Sequence, residues 1–257
     1  MRNRTPLRRN LMLITACVVL AAALLSAGFV AWALTPLGPS PEALEALKSD
    51  SEVNVTEAPY GWVFTATDDD PVTAFILYPG GRVDPRSYAP FARDLAMHGH
   101  AVIIVPMRLN LAVLSPDRAA DAIAANPSIR SWTIGGHSLG GTMAAAYAQK
   151  APGSIDALAL LASYPAKSTD LSSSDISVVS IYGTRDGVLS AESFKQAVPR
   201  LPDSTEFVAI EGGNHAQFGS YGSQPGDNPA EIDAQTQMES TVDAVATMMR
   251  PLRLRVR

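Results

Sequence analysis

The segment Gly136-His137-Ser138-Leu139-Gly140 places a hydroxyl nucleophile between two glycines. A serine hydroxyl is a weak nucleophile at neutral pH, so it attacks a carbonyl carbon efficiently only when a base takes its proton. The Gly-x-Ser-x-Gly spacing is typical of a sharp turn from a strand into a helix, because glycine tolerates unusual backbone angles and close backbone approach. An apolar run precedes the segment and small residues follow it, as this turn requires. We therefore expect Ser138 to be an exposed nucleophile.

The base that serves this serine is predicted to be His215. The chain has four histidines. His98 and His100 come at the end of a predicted helix, where capping and surface roles are common, and His137 lies within the turn itself. His215 follows an apolar run in a glycine-rich loop, which suits a side chain held over the C-terminal edge of a sheet.

A carboxylate is needed to orient the imidazole and to stabilise its charged form. Asp186 is the predicted partner, because it follows the apolar run 177–182 and would also emerge at the C-terminal edge of the sheet. Asp170 and Asp175 lie in a serine-rich connection, and Asp203 follows a proline, so these three acids are weaker candidates. The competing interpretation of Asp186 is a residue that only forms a turn.

Two backbone amides are expected to stabilise the oxyanion that forms during acyl transfer. One is the amide of Leu139, at the N-terminus of the helix that follows Ser138. The other should come from the loop Pro79-Gly80-Gly81-Arg82, where the absence of side chains lets a substrate approach the backbone. Gly81 is the preferred donor, and Arg82 is the alternative that the sequence leaves open.

The N-terminal region predicts a membrane anchor. Residues 11–34 carry no charge and exceed the ~20 apolar residues that a bilayer span needs. The basic segment 1–10 precedes them, with arginines at Arg2, Arg4, Arg8 and Arg9. This asymmetry predicts a cytoplasmic N-terminus and a single-pass protein with its catalytic domain on the extracytoplasmic side. The alternative is a signal peptide cleaved after Ala31-Trp32-Ala33, which would give a secreted protein.

The chain after the anchor divides into three segments, and its composition and charge disfavour some classes of partner. Residues 35–51 form a proline-rich linker that we expect to be stiff and extended, 52–250 form the folded domain, and 251–257 form a basic, solvated tail. Hydrophobic residues make up 47% of the chain and the net charge is -5, which disfavours a nucleic-acid partner. The only cysteine is Cys17, so the domain offers neither a disulfide nor a thiolate metal site.

The domain alternates apolar runs with helical patterns, which predicts an α/β fold with a mainly parallel sheet. The predicted strands are 53–55, 62–66, 73–78, 101–106, 131–135, 157–162, 177–182 and 206–211. The predicted helices are 42–48, 85–97, 116–125, 139–150, 191–198 and 229–249.

These motifs together resemble the α/β-hydrolase superfamily, and in particular small dienelactone-hydrolase-like enzymes. The matching pieces are 77–81, the turn at 136–140, 182–186 and 213–215, and the order Ser138, Asp186, His215 is that of the superfamily. The resemblance implies an α/β-hydrolase fold with an eight-stranded, mostly parallel sheet, a Ser-His-Asp triad and an acyl-enzyme intermediate. It implies no cofactor and no metal.

The chain departs from this resemblance at two points. Dienelactone hydrolases typically use a cysteine nucleophile where this chain has Ser138, which favours ordinary esters or thioesters as substrates. Only residues 163–176 separate the sixth strand from the acid-bearing strand, which is too short for a lid domain. We therefore expect an open site lined by Tyr164 and by the loops 110–114 and 218–221.

The expected function is hydrolysis of a carboxylic ester or thioester, from a small-molecule or a lipid substrate. Two alternatives stay open at this point. The same triad could serve an acyltransferase, in which an alcohol displaces water, or the fold could persist as a noncatalytic binding domain. The sequence indicates no oligomeric state.

Overall fold

The structure is a computed structural model that describes residues 5–256. Arg2 and Arg4 of the predicted cytoplasmic segment, and Arg257 of the predicted tail, lie outside the described residues. Helix α1 spans Thr5–Ala33. Residues Arg9–Ala33 of this helix are long and apolar enough to cross a membrane, and none of the most apolar part is buried against the protein.

Eight strands form one sheet in the order β1-β2-β4-β3-β5-β6-β7-β8. The pairs β1–β2 and β2–β4 are antiparallel, and all other neighbours are parallel. The strands are β1 Val53–Ala58, β2 Gly61–Ala66, β3 Thr73–Tyr78, β4 Ala101–Ile104, β5 Ser131–His137, β6 Ala157–Leu161, β7 Ser177–Gly183 and β8 Glu206–Ile210. The predicted eight-stranded, mostly parallel sheet is therefore confirmed.

Helices cover both faces of the sheet. They are α2 Pro41–Glu45, α3 Ala89–Met97, α4 Ala119–Ala125, α5 Leu139–Lys150, α6 Ala191–Ala197 and α7 Ala234–Val256. One apolar core contains α3 and α7, and the opposite core contains α4 and α5. Strand β3 is buried on both faces, because Phe75 and Leu77 point into the first core while Ile76 and Tyr78 point into the second.

The last helix differs from its prediction at both ends. It begins at Ala234 rather than at residue 229, because the Asp233 carboxylate accepts a hydrogen bond from the amide of Thr236 (2.8 Å) and so caps the first turn. It continues past Met249 to Val256 with Pro251 inside it. Leu252 is buried at 6% exposure, and this packing holds the helix together beyond the proline. The predicted solvated tail is thus helical up to Val256.

The linker does not hold the domain away from the end of α1. The Leu37 amide donates to the Arg82 carbonyl (2.7 Å), and the Asp84 amide donates to the Leu37 carbonyl (2.9 Å). The Ser40 amide donates to the Ser220 carbonyl (2.7 Å). Backbone hydrogen bonds at Leu37 and Ser40 therefore join the proline-rich stretch to the domain, and its later part, Pro41–Glu45, forms helix α2.

No lid covers the C-terminal edge of the sheet between β6 and β7. The connecting residues 162–176 contain neither a helix nor a strand. The C-terminal ends of the central parallel strands, and the loops that follow them, therefore carry the residues singled out from the sequence.

Candidate active site

Ser138 occupies the turn between β5 and α5 in a strained conformation. Its φ of 52° and ψ of -123° lie where L-residues are rarely found, at a typical cost of about 1–3 kcal/mol. Hydrogen bonds fix the backbone at both sides: the Ser138 amide donates to the Leu161 carbonyl (2.9 Å), and its carbonyl accepts from the Ser163 hydroxyl (2.7 Å). The strain is thus held in place by β6 and the residues after it.

The glycines of the turn are required by close backbone contacts. A Cβ atom on Gly140 would overlap the carbonyl oxygens of Tyr78 and Pro79, and one on Gly136 would lie 2.7 Å from the Tyr78 carbonyl oxygen. The start of α5 therefore packs directly on the end of β3. This packing brings Leu139 next to the loop that holds Gly81.

His215 and Asp186 form a buried pair. The Nδ1 atom of His215 lies 2.8 Å from Oδ2 of Asp186, and the two side chains are 1% and 3% exposed. An ionised carboxylate only accepts hydrogen bonds, so Nδ1 carries the proton and donates it. In neutral His215 the Nε2 atom is then an unprotonated acceptor, and within residues 5–256 it makes no hydrogen bond.

The Asp186 carboxylate is itself fixed by backbone amides. Its Oδ1 atom accepts hydrogen bonds from the amides of Val188 (2.8 Å) and Leu189 (2.7 Å). With Oδ1 occupied in this way, Oδ2 faces the imidazole of His215. The loop after β7 thus determines the orientation of the carboxylate.

A second acid, Asp227, joins the two loops that carry this pair. Its Oδ1 accepts from the amide of Gly187 (2.9 Å), next to Asp186, and its Oδ2 accepts from the amide of Ala216 (2.8 Å), next to His215. Both carboxylate oxygens are therefore used to hold the acid loop against the histidine loop. Asp227 lies in a Pro-Gly-Asp-Asn-Pro turn, and this local sequence carries no signal of its role.

Helix α7 fixes the histidine loop from the other side. Gln237 is fully buried, and its Oε1 accepts from the Asn214 amide (2.9 Å) while its Nε2 donates to the Asn214 carbonyl (2.8 Å). This amide side chain acts as a two-point clamp on the backbone just before His215. The helical pattern that predicted α7 gave no indication of it.

His215 lies next to the serine turn through His137. The two imidazole centroids are 4.5 Å apart, and His137 directly precedes Ser138. The structure thus brings Ser138, Asp186 and His215 to one region of the sheet edge, with no hydrogen bond formed between Ser138 and His215. Catalytic hydrogen bonds are often long without substrate, so this geometry is compatible with transfer of the hydroxyl proton.

His137 is buried and neutral. The Tyr88 hydroxyl accepts from the Gly80 amide (2.9 Å), so its own proton points to Nδ1 of His137 (2.9 Å). Nδ1 is therefore an acceptor and the proton of His137 sits on Nε2. Burial holds the pKa of His137 well below its ordinary value of 6.5, and the neighbouring His215 lowers it further.

The structure distinguishes between the two candidate amides after β3. The Arg82 amide donates to the Asn110 carbonyl (2.8 Å), and the Gly80 amide is taken by Tyr88. Among the described residues, no hydrogen bond involves the Gly81 amide, and a Cβ on Gly81 would lie 3.2 Å from the Leu139 side chain. Gly81 and Leu139 are thus neighbours. The Arg82 amide is already engaged by Asn110 and is not free to bind an oxyanion.

The loop 218–221, which was expected to line the site, carries two aromatic residues. Phe218 and Tyr221 are buried and pack against the His137 ring, with centroid distances of 5.8 and 6.3 Å. Leu111 of the loop 110–114 does lie beside Gly81. Within residues 5–256, no three His, Cys, Asp or Glu side chains are grouped as a metal site would require.

The comparison with known proteins gives one decisive match. The profile of the alpha/beta hydrolase family matches residues 74–239, more than half of the chain. The chain belongs to the alpha/beta hydrolase family. Membership places it among hydrolases and confirms the resemblance to the α/β-hydrolase superfamily that the motifs indicated. No curated protein matches the chain.

Solved structures agree with this alpha/beta hydrolase fold. A predicted CIB-like hydrolase from Thermoplasma acidophilum has a TM-score of 0.56 and 16% identity, over 76% of this chain and 99% of that one. The esterase domain of a Rhodothermus marinus protein also has a TM-score of 0.56, with 12% identity over 78% of this chain and 98% of that one. At these identities the likeness is one of fold.

Proposed function

We propose that the protein is a serine hydrolase that cleaves carboxylic esters or thioesters through an acyl-enzyme intermediate. Ser138 is the nucleophile, His215 the general base and Asp186 the residue that orients it. The amides of Gly81 and Leu139 form the oxyanion hole. The mechanism needs no cofactor and no metal.

One observation carries this proposal. The buried His215–Asp186 pair fixes the tautomer in which Nε2 is an unprotonated acceptor, and this atom has no partner within residues 5–256. A buried, unpaired acceptor costs free energy, typically about 1–3 kcal/mol. Because His215 lies beside the strained Ser138 turn, its unpaired Nε2 atom is available to accept the serine proton, which supports His215 as the general base.

In the acylation step, the Ser138 oxygen attacks the carbonyl carbon and its proton moves to Nε2 of His215. The carbonyl oxygen becomes an oxyanion, which accepts hydrogen bonds from the Gly81 and Leu139 amides. Asp186 stabilises the imidazolium that has formed. The tetrahedral intermediate collapses when the bond to the leaving oxygen or sulfur breaks, and His215 returns the proton to that atom.

In the deacylation step, water takes the place of the leaving group. His215 accepts one proton from the water as its oxygen attacks the acyl carbon, and the oxyanion is again held by the same two amides. The ester bond to Ser138 then breaks, and the proton on His215 passes to the serine oxygen. The products are a carboxylic acid and the free enzyme.

We further propose that α1 anchors the enzyme in a membrane, with the catalytic domain on the extracytoplasmic side. The exposed apolar surface of Arg9–Ala33 supports this, because water-exposed helices of such composition are unfavourable outside lipid. Arg9 at the start of the span and the arginines before it support the orientation. Cleavage of the segment as a signal peptide is the alternative outcome.

Kinetics on a panel of simple esters and thioesters test the proposal. Wild type should hydrolyse at least part of the panel, and Ser138→Ala should lose on the order of a million-fold in turnover. Addition of an alcohol acceptor separates the acyltransferase alternative, because a transferase would form the new ester in preference to the acid. Equal rates for wild type and Ser138→Ala would refute the proposed nucleophile.

A further inference from the structure

The C-terminal end of the apolar helix is attached to the loop that carries the proposed oxyanion amide. The Arg82 side chain donates from Nε to the Trp32 carbonyl (2.9 Å) and from Nη2 to the Thr35 carbonyl (2.6 Å). Its guanidinium carbon lies 4.3 Å from the centroid of the Trp32 ring, in a cation–π contact. Arg82 is the next residue after Gly81, so their Cα atoms are about 3.8 Å apart.

Asn110 makes a second connection between the helix and the same loop. Its side chain donates to the Ala33 carbonyl (2.9 Å), and its own carbonyl accepts the Arg82 amide (2.8 Å). The carbonyls of Trp32 and Ala33 in the last turn of α1, and that of Thr35 just after it, thus each accept a hydrogen bond from Arg82 or Asn110. The helix end and the site loop form one hydrogen-bonded unit.

This unit is built at a conformational cost. Arg82 and Asn110 have φ angles of 57° and 54°, and of the non-glycine residues in the described range only Leu109, Ser138 and Ala162 also have positive φ. Such conformations persist where the surrounding structure imposes them, and they cluster at functional sites. The positive φ angles at Arg82 and Asn110 occur at the two residues that contact the helix end.

The contacts of Arg82 and Asn110 with the end of α1 would determine how far the site lies from the surface of a membrane that α1 crosses. Trp32 and Phe29 are exposed aromatic residues in the last turns of α1, and such residues mark the boundary between lipid and water. Since Arg82 binds Trp32 and adjoins Gly81, a bilayer crossed by α1 would have its surface close to the Gly81 amide. Ser138, whose neighbour Leu139 packs beside Gly81, lies at the same level.

Exposed apolar side chains occur both at the helix end and on the loop that lies beside the site. Leu34 is exposed directly after α1, and Val113 and Leu114 are exposed on the loop that also places Asn110 against Ala33 and Leu111 beside Gly81. A lipid surface would cover these side chains. They would give an acyl chain an apolar path between the bilayer and the serine.

We propose that the substrate is an amphiphilic ester or thioester whose acyl chain resides in the bilayer, and that Arg82 fixes the domain so that Ser138 meets this substrate at the membrane surface. The inference rests on the proposed serine hydrolase function and on the membrane anchor. Arg82 is a positioning residue in this account, since its side chain contacts the helix and not the reacting atoms.

The test uses the full-length protein in vesicles of ether-linked dialkyl phosphatidylcholine, which contain no cleavable ester of their own. Two probes share a fluorogenic leaving group: 4-methylumbelliferyl palmitate, held in the vesicles, and 4-methylumbelliferyl acetate, dissolved in water. Arg82→Gln should lower the rate with the palmitate ester about tenfold, as expected from lost orientation, and leave the acetate rate unchanged.

Two further variants keep the test specific. Trp32→Ala removes the same contact from the helix side, outside the catalytic domain, and should shift the palmitate-to-acetate ratio in the same direction. Arg86→Gln is the matched control, because Arg86 pairs with Asp84 on the same loop and has no contact with the helix, so its ratio should equal that of wild type. Equal losses with both probes in Arg82→Gln, or no loss with either, would overturn the inference.

The two proposals can fail separately. If Ser138→Ala retains activity with both probes, the serine hydrolase proposal is wrong and the inference falls with it. If Ser138→Ala abolishes both activities while Arg82→Gln and Trp32→Ala keep the wild-type ratio, the hydrolase proposal stands and only the lipid substrate is wrong.

Discussion

The imidazole rings of His137 and His215 lie 4.5 Å apart, and the two residues differ in every hydrogen-bonding partner. His215 binds a carboxylate through Nδ1, while His137 accepts the proton of the Tyr88 hydroxyl. A charge on His137 would oppose the imidazolium that forms on His215 during catalysis. Burial keeps His137 neutral, so the proposed base has a neighbour that does not compete with it for a proton.

This arrangement predicts an acid-sensitive fold. The pKa of His137 is well below 6.5 in the folded protein, so below pH 6.5 the unfolded chain binds more protons than the folded one. The free energy of unfolding should fall as pH decreases through this range, by up to about 1.4 kcal/mol per pH unit from this one group. At higher pH the contribution is constant. Thermal unfolding at pH 7.5 and pH 5.0 measures the effect.

The matched comparison is His137→Gln, which has no titratable group in this range. Its unfolding temperature should be lower than that of wild type at pH 7.5, because the bond to Tyr88 is altered, and should change less between the two pH values. A variant with the same pH dependence as wild type would show that His137 does not titrate as described.

Replacement of Asp186 by asparagine should reduce turnover while the fold persists. The Oδ1 atom that accepts two amides keeps its oxygen, so the amide NH2 faces His215 and forces the proton of the imidazole onto Nε2. A protonated Nε2 cannot accept the serine proton, and the expected fall in kcat is about ten-thousandfold. Ester hydrolysis under saturating substrate measures it, and a loss below about tenfold would argue for another acid.

Asp227→Asn tests the connection between the acid and histidine loops. One of the two carboxylate oxygens becomes an NH2 group, which cannot accept the hydrogen bond from the Gly187 amide or from the Ala216 amide. We expect a loss of about 1–3 kcal/mol in unfolding free energy together with a lower kcat. Asp203→Asn, at an exposed acid, should change neither. Unaltered kinetics in Asp227→Asn would mean that the bridge does not position the pair.

Gly140→Ala tests the packing of the serine turn. The added methyl group would overlap the carbonyl oxygens of Tyr78 and Pro79, which belong to rigid backbone, so either α5 shifts or the fold loses stability. We expect a cost of about 1–3 kcal/mol or more and loss of activity. Gly38→Ala is the control, because a Cβ there meets nothing within 4 Å. Chemical denaturation compares the two variants, and equal stability would contradict the described contact.

The elements and the motif-bearing residues were predictable because their signals are local. Glycine spacing around Ser138 encodes the turn, and apolar runs followed by Gly183 or Gly213 encode strands that end at the same sheet edge. Such signals need no knowledge of distant parts of the chain. They also explain why all eight strands were expected at their observed places.

The features that the sequence did not indicate all depend on partners far apart in the chain. Asp227 and Gln237 act on backbone atoms of other loops, and nothing in their own neighbourhoods encodes this. The choice between Gly81 and Arg82 depends on the carbonyl of Asn110. The linker was expected to be stiff and extended, and its hydrogen bond to the Arg82 carbonyl follows only from the assembled fold.

The site of modification by a fluorophosphonate, determined by mass spectrometry of peptides from the labelled full-length protein, tests whether Ser138 is the nucleophile. We expect one adduct, on Ser138, with slow labelling in His215→Ala and none in Ser138→Ala. An adduct on another residue, or undiminished labelling of Ser138→Ala, would contradict it.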